Sequence, residues 1–474
     1  MGQISRRGLL GGIGLAGLAA VRDADIQIVD IRHSYQDFLY RAPYKFGGKE
    51  VDRVTLINVD CIVKNRSGRT AKGFGSMPLG NVWSFPSPVL SYDQTLGAMK
   101  ALADRVGKLT RDCKEYGHPI DINTLLESSY LNAAEQVGAS LKLGEPIPKL
   151  CTLVTMSAFD AAVHDAYGKL HRRNCYLTYG PDLLRHDLGH YLGAGFKGEY
   201  LDRYVLKQPT PQLPLFHSVG ASDPIFDSDI EKRLNDGLPQ ALGDWTRHDG
   251  LTYYKIKLNG NDLKWDDDRV VSIDKAASDA QAKRGVKRWF YSLDFNERCP
   301  NVEYLLDFLA HLRERAPAAF DRLLYIEQPT KRDLAADRGN DMHRASAIKP
   351  VVIDESLTGV DTLLLAREMG YTGVALKACK GQSQILLISA VAQKHKMFLC
   401  VQDLTCPGAS LIQSVSLAAH TPGVAGIEAN SREYVPAANK AWEKRFPGIF
   451  HITDGLIRTG EINGPGLGAV PPSA

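Results

Sequence analysis

Five short stretches in the second half of the chain place ionisable residues at the ends of apolar runs: Lys255-Ile256-Lys257, Asp294-Phe295-Asn296, Glu327-Gln328-Pro329, Asp354-Glu355-Ser356 and Lys377. The steps from Asp294 to Glu327, to Asp354 and on to Lys377 are 33, 27 and 23 residues, each near the roughly 30 residues of one strand–helix repeat. Three carboxylates brought to one level supply hard oxygen ligands with charge enough for one divalent cation, which favours Mg²⁺ over Zn²⁺. Side chains alternate along a strand, so Lys255 and Lys257 share a face while Ile256 points away. Of Asp354 and Glu355, a regular strand turns only one inward, and register alone does not choose between them.

The elements that must carry these residues are legible as eight apolar runs: LPLFHSVG, YYKIKLNG, WFYSLDFN, LLYIEQPT, PVVIDES, GVALKAC, MFLCVQD and VAGIEAN. Helical stretches such as VEYLLDFLAHLRERA and DTLLLAREMG lie between several of them, supplying the crossovers that parallel strands require. Eight such strands fit a closed barrel over residues 213–438, with chemistry at the carboxyl ends of its strands. Ahead of it, residues 23–170 read as a small α+β domain. Alternation in DIQIVDIRH and RVTLINVDCIVKN predicts antiparallel strands, and apolar residues at three and four spacing predict amphipathic helices over 91–171. Residues 171–212 form a connecting insertion, and 439–474 a Gly/Pro-rich tail expected to return to the first domain.

Composition bounds the rest. The chain has 474 residues, with 57 Lys+Arg against 54 Asp+Glu, so no field gathers phosphates and nucleic acid is not an expected partner. Eight scattered cysteines without a C-x-x-C pair read as free thiols. Residues 1–22 open with Arg6-Arg7 before an apolar, Gly-rich stretch from Gly8 to Ala20. That pattern resembles a twin-arginine signal peptide, although Leu9 and Gly11 depart from it. It points to export, to the periplasm, with a cytoplasmic location as the alternative. No uninterrupted apolar run elsewhere reaches membrane length, so no stable membrane insertion is expected after processing.

Taken together, K-x-K, D-x-N, IEQP, DES and the later Lys377 occur in the order and spacing of the enolase superfamily. Within it the chain resembles the muconate-lactonizing and mandelate-racemase-like branch, in particular the muconate lactonizing enzyme subgroup and its dipeptide epimerases. The resemblance implies an α/β fold, a (β/α)7β modified TIM barrel with an N-terminal α+β capping domain, and substrate held between the two. It implies Mg²⁺ on Asp294, Glu327 and Asp354, which also selects Asp354 over Glu355. Lys257 and Lys377 would be acid/base catalysts on opposite faces of an enolate, the Lys base and Mg²⁺ being features the superfamily is known for. Lys255 and the metal would lower the basicity of Lys257. The implied reaction is racemisation or epimerisation of a small carboxylate, for instance an amino-acid derivative or dipeptide, by a protein whose family often forms homo-oligomers.

The pattern thins on the last strand, where the dipeptide epimerases carry Asp-x-Asp and this chain has Glu428-Ala429-Asn430. Glu428, Asn430 and Asn296 remain candidate substrate-binding residues. Tyr40–Gly48 and Met77–Pro88 are candidate lid loops, the second offering Trp83 and Phe85 as an apolar wall. His186 and His190 have the spacing of H-E-x-x-H, but the Glu is missing, and a surface or core-edge pair is expected there. Alternatives on the same scaffold are a cycloisomerase or a syn-dehydratase of the o-succinylbenzoate synthase type. From other classes come a metal-dependent hydrolase, which would want an H-x-H where the first strand has only His217, and a non-catalytic exported binding protein.

Overall fold

The computed structural model describes residues 23–468; the proposed signal peptide lies outside them. Three antiparallel strands open the fold: β1 (Ile26–Phe46), β2 (Lys49–Asn65) and β3 (Thr70–Pro78). The β1–β2 hairpin pairs from Ile26 opposite Asn65 to Phe46 opposite Lys49, but Tyr40 to Pro43 leave the ladder. Helices α1 (Tyr92–Asp112), α2 (Pro119–Ser140) and α3 (Lys149–His171) follow. Ser91 caps α1, accepting from Gln94 N while Gln94 returns a bond to Ser91 N. Helix α3 is buried almost from end to end and lies on the sheet. Its close approach depends on Gly73 and Gly75, where a Cβ would sit 2.1 Å from the carbonyl oxygens of Ala162 and Ala158.

The barrel begins at β4 (Gln212–Val219). It continues through α4 (Leu242–Asp249), β5 (Tyr253–Lys257), α5 (Leu263–Arg284), β6 (Phe290–Asp294), α6 (Val302–Arg315) and β7 (Leu323–Glu327). Next come β8 (Val351–Ile353), α7 (Val360–Glu368), β9 (Gly373–Leu376), α8 (Gln382–Lys394), β10 (Phe398–Gln402), α9 (Ala409–His420) and β11 (Val424–Glu428). The strands are parallel in sequence order, and β11 closes on β4 through Ile427–Leu215 and Glu428–Phe216. All eight apolar runs are therefore barrel strands. Between β7 and β8 the crossover is reduced to the single turn His343–Ser346.

Inside, the floor is an apolar plug of Phe216, Tyr325, Val352, Ala375 and Cys400, with Tyr253 and Phe398 against it. Alternation on β5 lifts the inward positions from Tyr253 at that floor to Lys255 and Lys257 nearer the mouth. The β5–β6–β7 register then sets Lys257 beside Asp294 and Asp294 beside Glu327.

The tail does two things. Its strand β12 (Leu456–Arg458) pairs antiparallel with the first half of β4, so it extends the barrel sheet. Beyond it, Leu467 N donates to Asp165 Oδ1 on α3 and Gly466 O accepts from Cys175 N, which is the expected return to the first domain. The insertion 171–212 packs between α3 and the helices α8 and α9: Tyr176 stacks on His420 with centroids 3.9 Å apart and its hydroxyl accepts from Gln382 at 3.1 Å.

Candidate active site

At the carboxyl end of the barrel, lysines and carboxylates alternate in a desolvated cluster. Lys255 Nζ lies 2.8 Å from Glu327 Oε1, 2.7 Å from Glu428 Oε2 and 3.1 Å from Asp294 Oδ2. Lys257 is ion-paired with the same Asp294 Oδ2. Across the mouth, Lys377 Nζ lies 3.1 Å from Asp354 Oδ2, and Lys380 binds Asp354 twice, at Oδ1 (3.2 Å) and at the main-chain O (2.6 Å). The sequence reading thus brings Lys255, Lys257, Asp294, Glu327, Asp354 and Lys377 together, with Lys257 and Lys377 attached to different carboxylates.

Several placements correct that reading. The DES segment follows the end of β8 at Ile353, so strand alternation no longer governs it. Both Asp354 and Glu355 are buried in the site: Glu355 Oε1 accepts from Trp83 Nε1 at 3.0 Å and from Asn296 Nδ2 at 3.1 Å. Gln328, held at φ +31° just after β7, pins the turn, its Oε1 accepting from Asp354 N and Ser356 N. Trp83 and Phe85 are both buried in the hydrophobic core, and it is Trp83 whose ring reaches Glu355, Lys377 and Lys380. Glu428 is ion-paired through Oε2 with Lys255, and Asn430 is buried with Oδ1 unpartnered. Lys380, three residues after Lys377, was missed as a site member, and Glu355, the middle residue of the DES motif, was passed over for Asp354.

Charge balance explains the titration behaviour. Burial works against the Lys255 ammonium, yet Glu327, Glu428 and Asp294 together carry its pKa well above the ordinary value. Lys377 is likewise raised: burial lowers it, as does Lys255, but Asp354, Glu327 and Glu428 together outweigh them. Burial acts to raise Asp294, but Lys257 and Lys255 hold it below the carboxylate range. Glu327 goes the other way, pushed up by burial and by repulsion from Asp294 and Asp354. Glu355 rises to about 8 through burial and the neighbouring Asp354.

Among the described residues, no three His, Cys, Asp or Glu side chains converge as a ready metal cluster, because lysine ammoniums interpose between the carboxylates. The donor chemistry nevertheless suits a hard divalent ion: three buried carboxylates repel one another enough to shift Glu327, and Glu355 Oε2 and Asn296 Oδ1 are buried without hydrogen-bond partners.

The first domain roofs this cluster with both expected loops. Phe46, at the β1–β2 hairpin tip, lies with its ring centroid 5.8 Å from Lys257 Nζ, and Gly47 O accepts from Arg298 at 3.3 Å. Trp83 covers Lys377 at 4.9 Å and Lys380 at 5.6 Å. Tyr44 Oη and Ser218 Oγ, 2.9 Å apart, join the hairpin to β4. His217 faces away from the lysines toward Glu433, 3.1 Å off. His186 and His190 stack at 4.1 Å at the edge of the insertion, half-buried and exposed, as a core-edge pair would.

A family model described as Enolase C-terminal domain-like matches residues 239–473. No curated protein matches the sequence. Among solved structures, a dipeptide epimerase from Enterococcus faecalis V583, complexed with Mg and L-Leu-L-Tyr, is similar at 13% identity and TM-score 0.60, over 93% of this chain and 99% of that one. The L-Ala-D/L-Glu epimerase from Bacillus subtilis is similar at 16% identity and TM-score 0.61, over 94% of this chain and 100% of that one. A muconate lactonizing enzyme from Pseudomonas fluorescens, complexed with muconolactone, is also similar at 16% identity and TM-score 0.61, over 94% of this chain and 97% of that one. At these identities the likeness establishes the fold.

Proposed function

Through its barrel this chain belongs to the enolase superfamily, and we propose that within it the protein is a Mg²⁺-dependent racemase or epimerase of an α-substituted carboxylate. The observation that carries the reading is the separation of Lys257 and Lys377. One amine is bound to Asp294 at the end of β6, and the other to Asp354 beyond β8. A planar enolate seated between them has an amine on each face, so a proton removed by one can be replaced by the other with inversion.

The α-proton of a carboxylate is too weakly acidic for an amine acting alone, so charge must be supplied where it develops. A Mg²⁺ ion held by Asp294, Glu327 and Asp354 would supply that positive charge and would draw the charge of Asp354 away from Lys377. Lys255, fixed by three carboxylates, adds a permanent positive charge at the centre of the cluster. Gln328 holds the Asp354 turn in place, and Phe46 and Trp83 keep water from the two amines. The same amines and ion would serve a cycloisomerase or syn-dehydratase, and cycloisomerases are among the similar folds. Two amines on opposed carboxylates favour inversion, because those reactions need only one proton acceptor.

The test is proton exchange in D₂O with Mg²⁺ across dipeptides, N-acyl amino acids and sugar acids. Deuterium incorporation at the α-carbon, accompanied by the opposite stereoisomer, is the expected result. Ring closure or loss of water without inversion would move the protein to the other reactions, and Zn²⁺-dependent hydrolysis would remove it from this class.

A further inference from the structure

Two arginines of the barrel reach up and grip the two roof loops, one each, and both grip a main-chain carbonyl. Arg298, four residues beyond the end of β6, donates from Nη1 to Gly47 O in the β1–β2 turn at 3.3 Å, with its Nε anchored on Asn259 O at 2.9 Å. Arg332, five residues beyond the end of β7, donates from Nη2 to Trp83 O at 3.2 Å, in the short helical turn Asn81–Ser84. Glu297 orients that guanidinium: its Oε2 accepts from Arg332 Nε at 2.7 Å and from Arg332 N at 2.9 Å, and its Oε1 from Nη2.

The hairpin turn is shaped for its grip. Gly47 and Gly48 lie at φ +53° and +71°, where a side chain is strained. A Cβ on Gly47 would stand 3.3 Å from Asn296 Cβ, and one on Gly48 2.5 Å from Arg298 Nη1. The arginines in turn stand on a fixed platform. Past Asp294 and Glu327 the chain runs through left-handed backbone at Asn296 (φ +43°), Glu297 (φ +67°) and Gln328 (φ +31°). Such conformations are costly for residues other than glycine and persist where surrounding bonds over-determine them. Here Glu297 N donates to Gln328 O at 2.8 Å and Cys299 N to Pro329 O at 2.9 Å, tying the two turns together. A loop bound to this platform therefore takes its position from the ends of β6 and β7.

We propose that Arg298 and Arg332 are positioning residues that act as two separate latches. Arg298, through Gly47, sets the Phe46 ring over Lys257, and Arg332, through the Trp83 carbonyl, sets the Trp83 ring over Lys377. Neither guanidinium transfers a proton; each acts through the ring whose loop it holds. Loss of one latch admits water to one amine and leaves the other covered. The latches stand on the geometry alone, and only their consequence for the two faces of the substrate rests on the proposed function.

The test compares Arg298→Gln with Arg332→Gln in the full chain with Mg²⁺, first by amide hydrogen exchange. In Arg298→Gln the ladder amides between Tyr44 and Val51 should exchange about tenfold faster or more, while those of Trp83, Ser84 and Phe85, bonded within their own turn, keep the parent's rate. Arg332→Gln should do the reverse. Should either fail to fold, Arg298→Met, or Glu297→Gln in place of the Arg332 variant, carries the same expectation. Loosening of both loops by each variant, or of neither, would overturn the proposal. The second readout is deuterium exchange at the substrate α-carbon. Arg298→Gln should slow the stereoisomer whose α-proton faces Lys257 about tenfold more than the other, and Arg332→Gln the one that faces Lys377. Loops loosened separately with both stereoisomers slowed equally would overturn the assignment of one latch to each amine. If the loops loosen separately but no carboxylate exchanges its α-proton in the parent, the catalytic reading fails and the latches stand. If the parent exchanges the α-proton while the variants move neither loop, the reverse holds.

Discussion

Trp83, carried on the first domain, donates its indole N–H to Glu355 Oε1 of the barrel at 3.0 Å, and the same ring lies 4.9 Å from Lys377 Nζ. One side chain thereby couples closure of the roof to the placement of an amine. Trp83→Phe keeps an aromatic face but removes the donor, leaving Glu355 with Asn296 as its remaining side-chain donor. A lost bond to a buried carboxyl is worth on the order of 1–3 kcal/mol, so kcat/KM should fall about ten- to a hundredfold with the far-ultraviolet dichroism unchanged. Activity equal to the parent would show that the contact has no part in positioning.

The two amines should separate by stereochemistry. With Lys257→Ala, the stereoisomer whose α-proton faces Lys377 should still exchange with solvent deuterium but without inversion. With Lys377→Ala, the opposite stereoisomer should behave that way. Inversion itself should drop by about 10²–10⁴-fold in both, the usual scale for losing a general acid or base. Proton NMR of each pure stereoisomer reads this directly, and loss of exchange for the same stereoisomer in both variants would contradict an amine on each face.

Metal dependence can be checked apart from turnover. If Asp294, Glu327 and Asp354 hold Mg²⁺, the ion should raise the thermal midpoint, since a ligand at a hundred times its Kd stabilises by about 2.7 kcal/mol. Glu327→Gln should abolish that rise, and chelation should reverse it in the parent. A midpoint indifferent to Mg²⁺ in the parent would leave the carboxylate trio without its proposed role.

What the sequence made legible follows from periodicity. The barrel strands were evident because each is a short apolar run, and the ring of Lys257, Asp294 and Glu327 because register places them side by side on adjacent strands. Past the strand ends that logic lapses. Asp354 and Glu355 both enter the site because their backbone follows a turn fixed by Gln328, a long-range bond that spacing does not encode. Lys380 was hidden for the same reason, lying on a turn of 3₁₀ helix after Lys377. Phe46 and Trp83 reach the lysines only through the docking of two domains. Phe85, two residues from Trp83 and buried in the same core, was indistinguishable from it in sequence, yet the lysine contacts fall to Trp83.

That docking is itself open to a pH test. Asp160 on α3 accepts from Ser383 N at 2.7 Å and Ser383 Oγ at 2.8 Å at the start of α8, and Ser383 Oγ is 2.9 Å from His164 Nε2. Burial raises the Asp160 pKa from 3.8 to about 6, against the opposing hydrogen bonds from Ser383. His164 is lowered to about 3 by burial and is neutral throughout this range. A carboxyl whose folded pKa exceeds its unfolded one favours the folded state most when protonated in both. Its contribution is therefore complete below pH ~4 and lost as pH rises through about 6. A shift of this size corresponds to on the order of 2–3 kcal/mol. Urea unfolding should accordingly show this part of the stability falling between pH 4 and 7, and Asp160→Asn, which cannot ionise, should flatten that slope. An unaltered slope in the variant would mean that the interface carboxyl is already ionised in the folded protein at low pH.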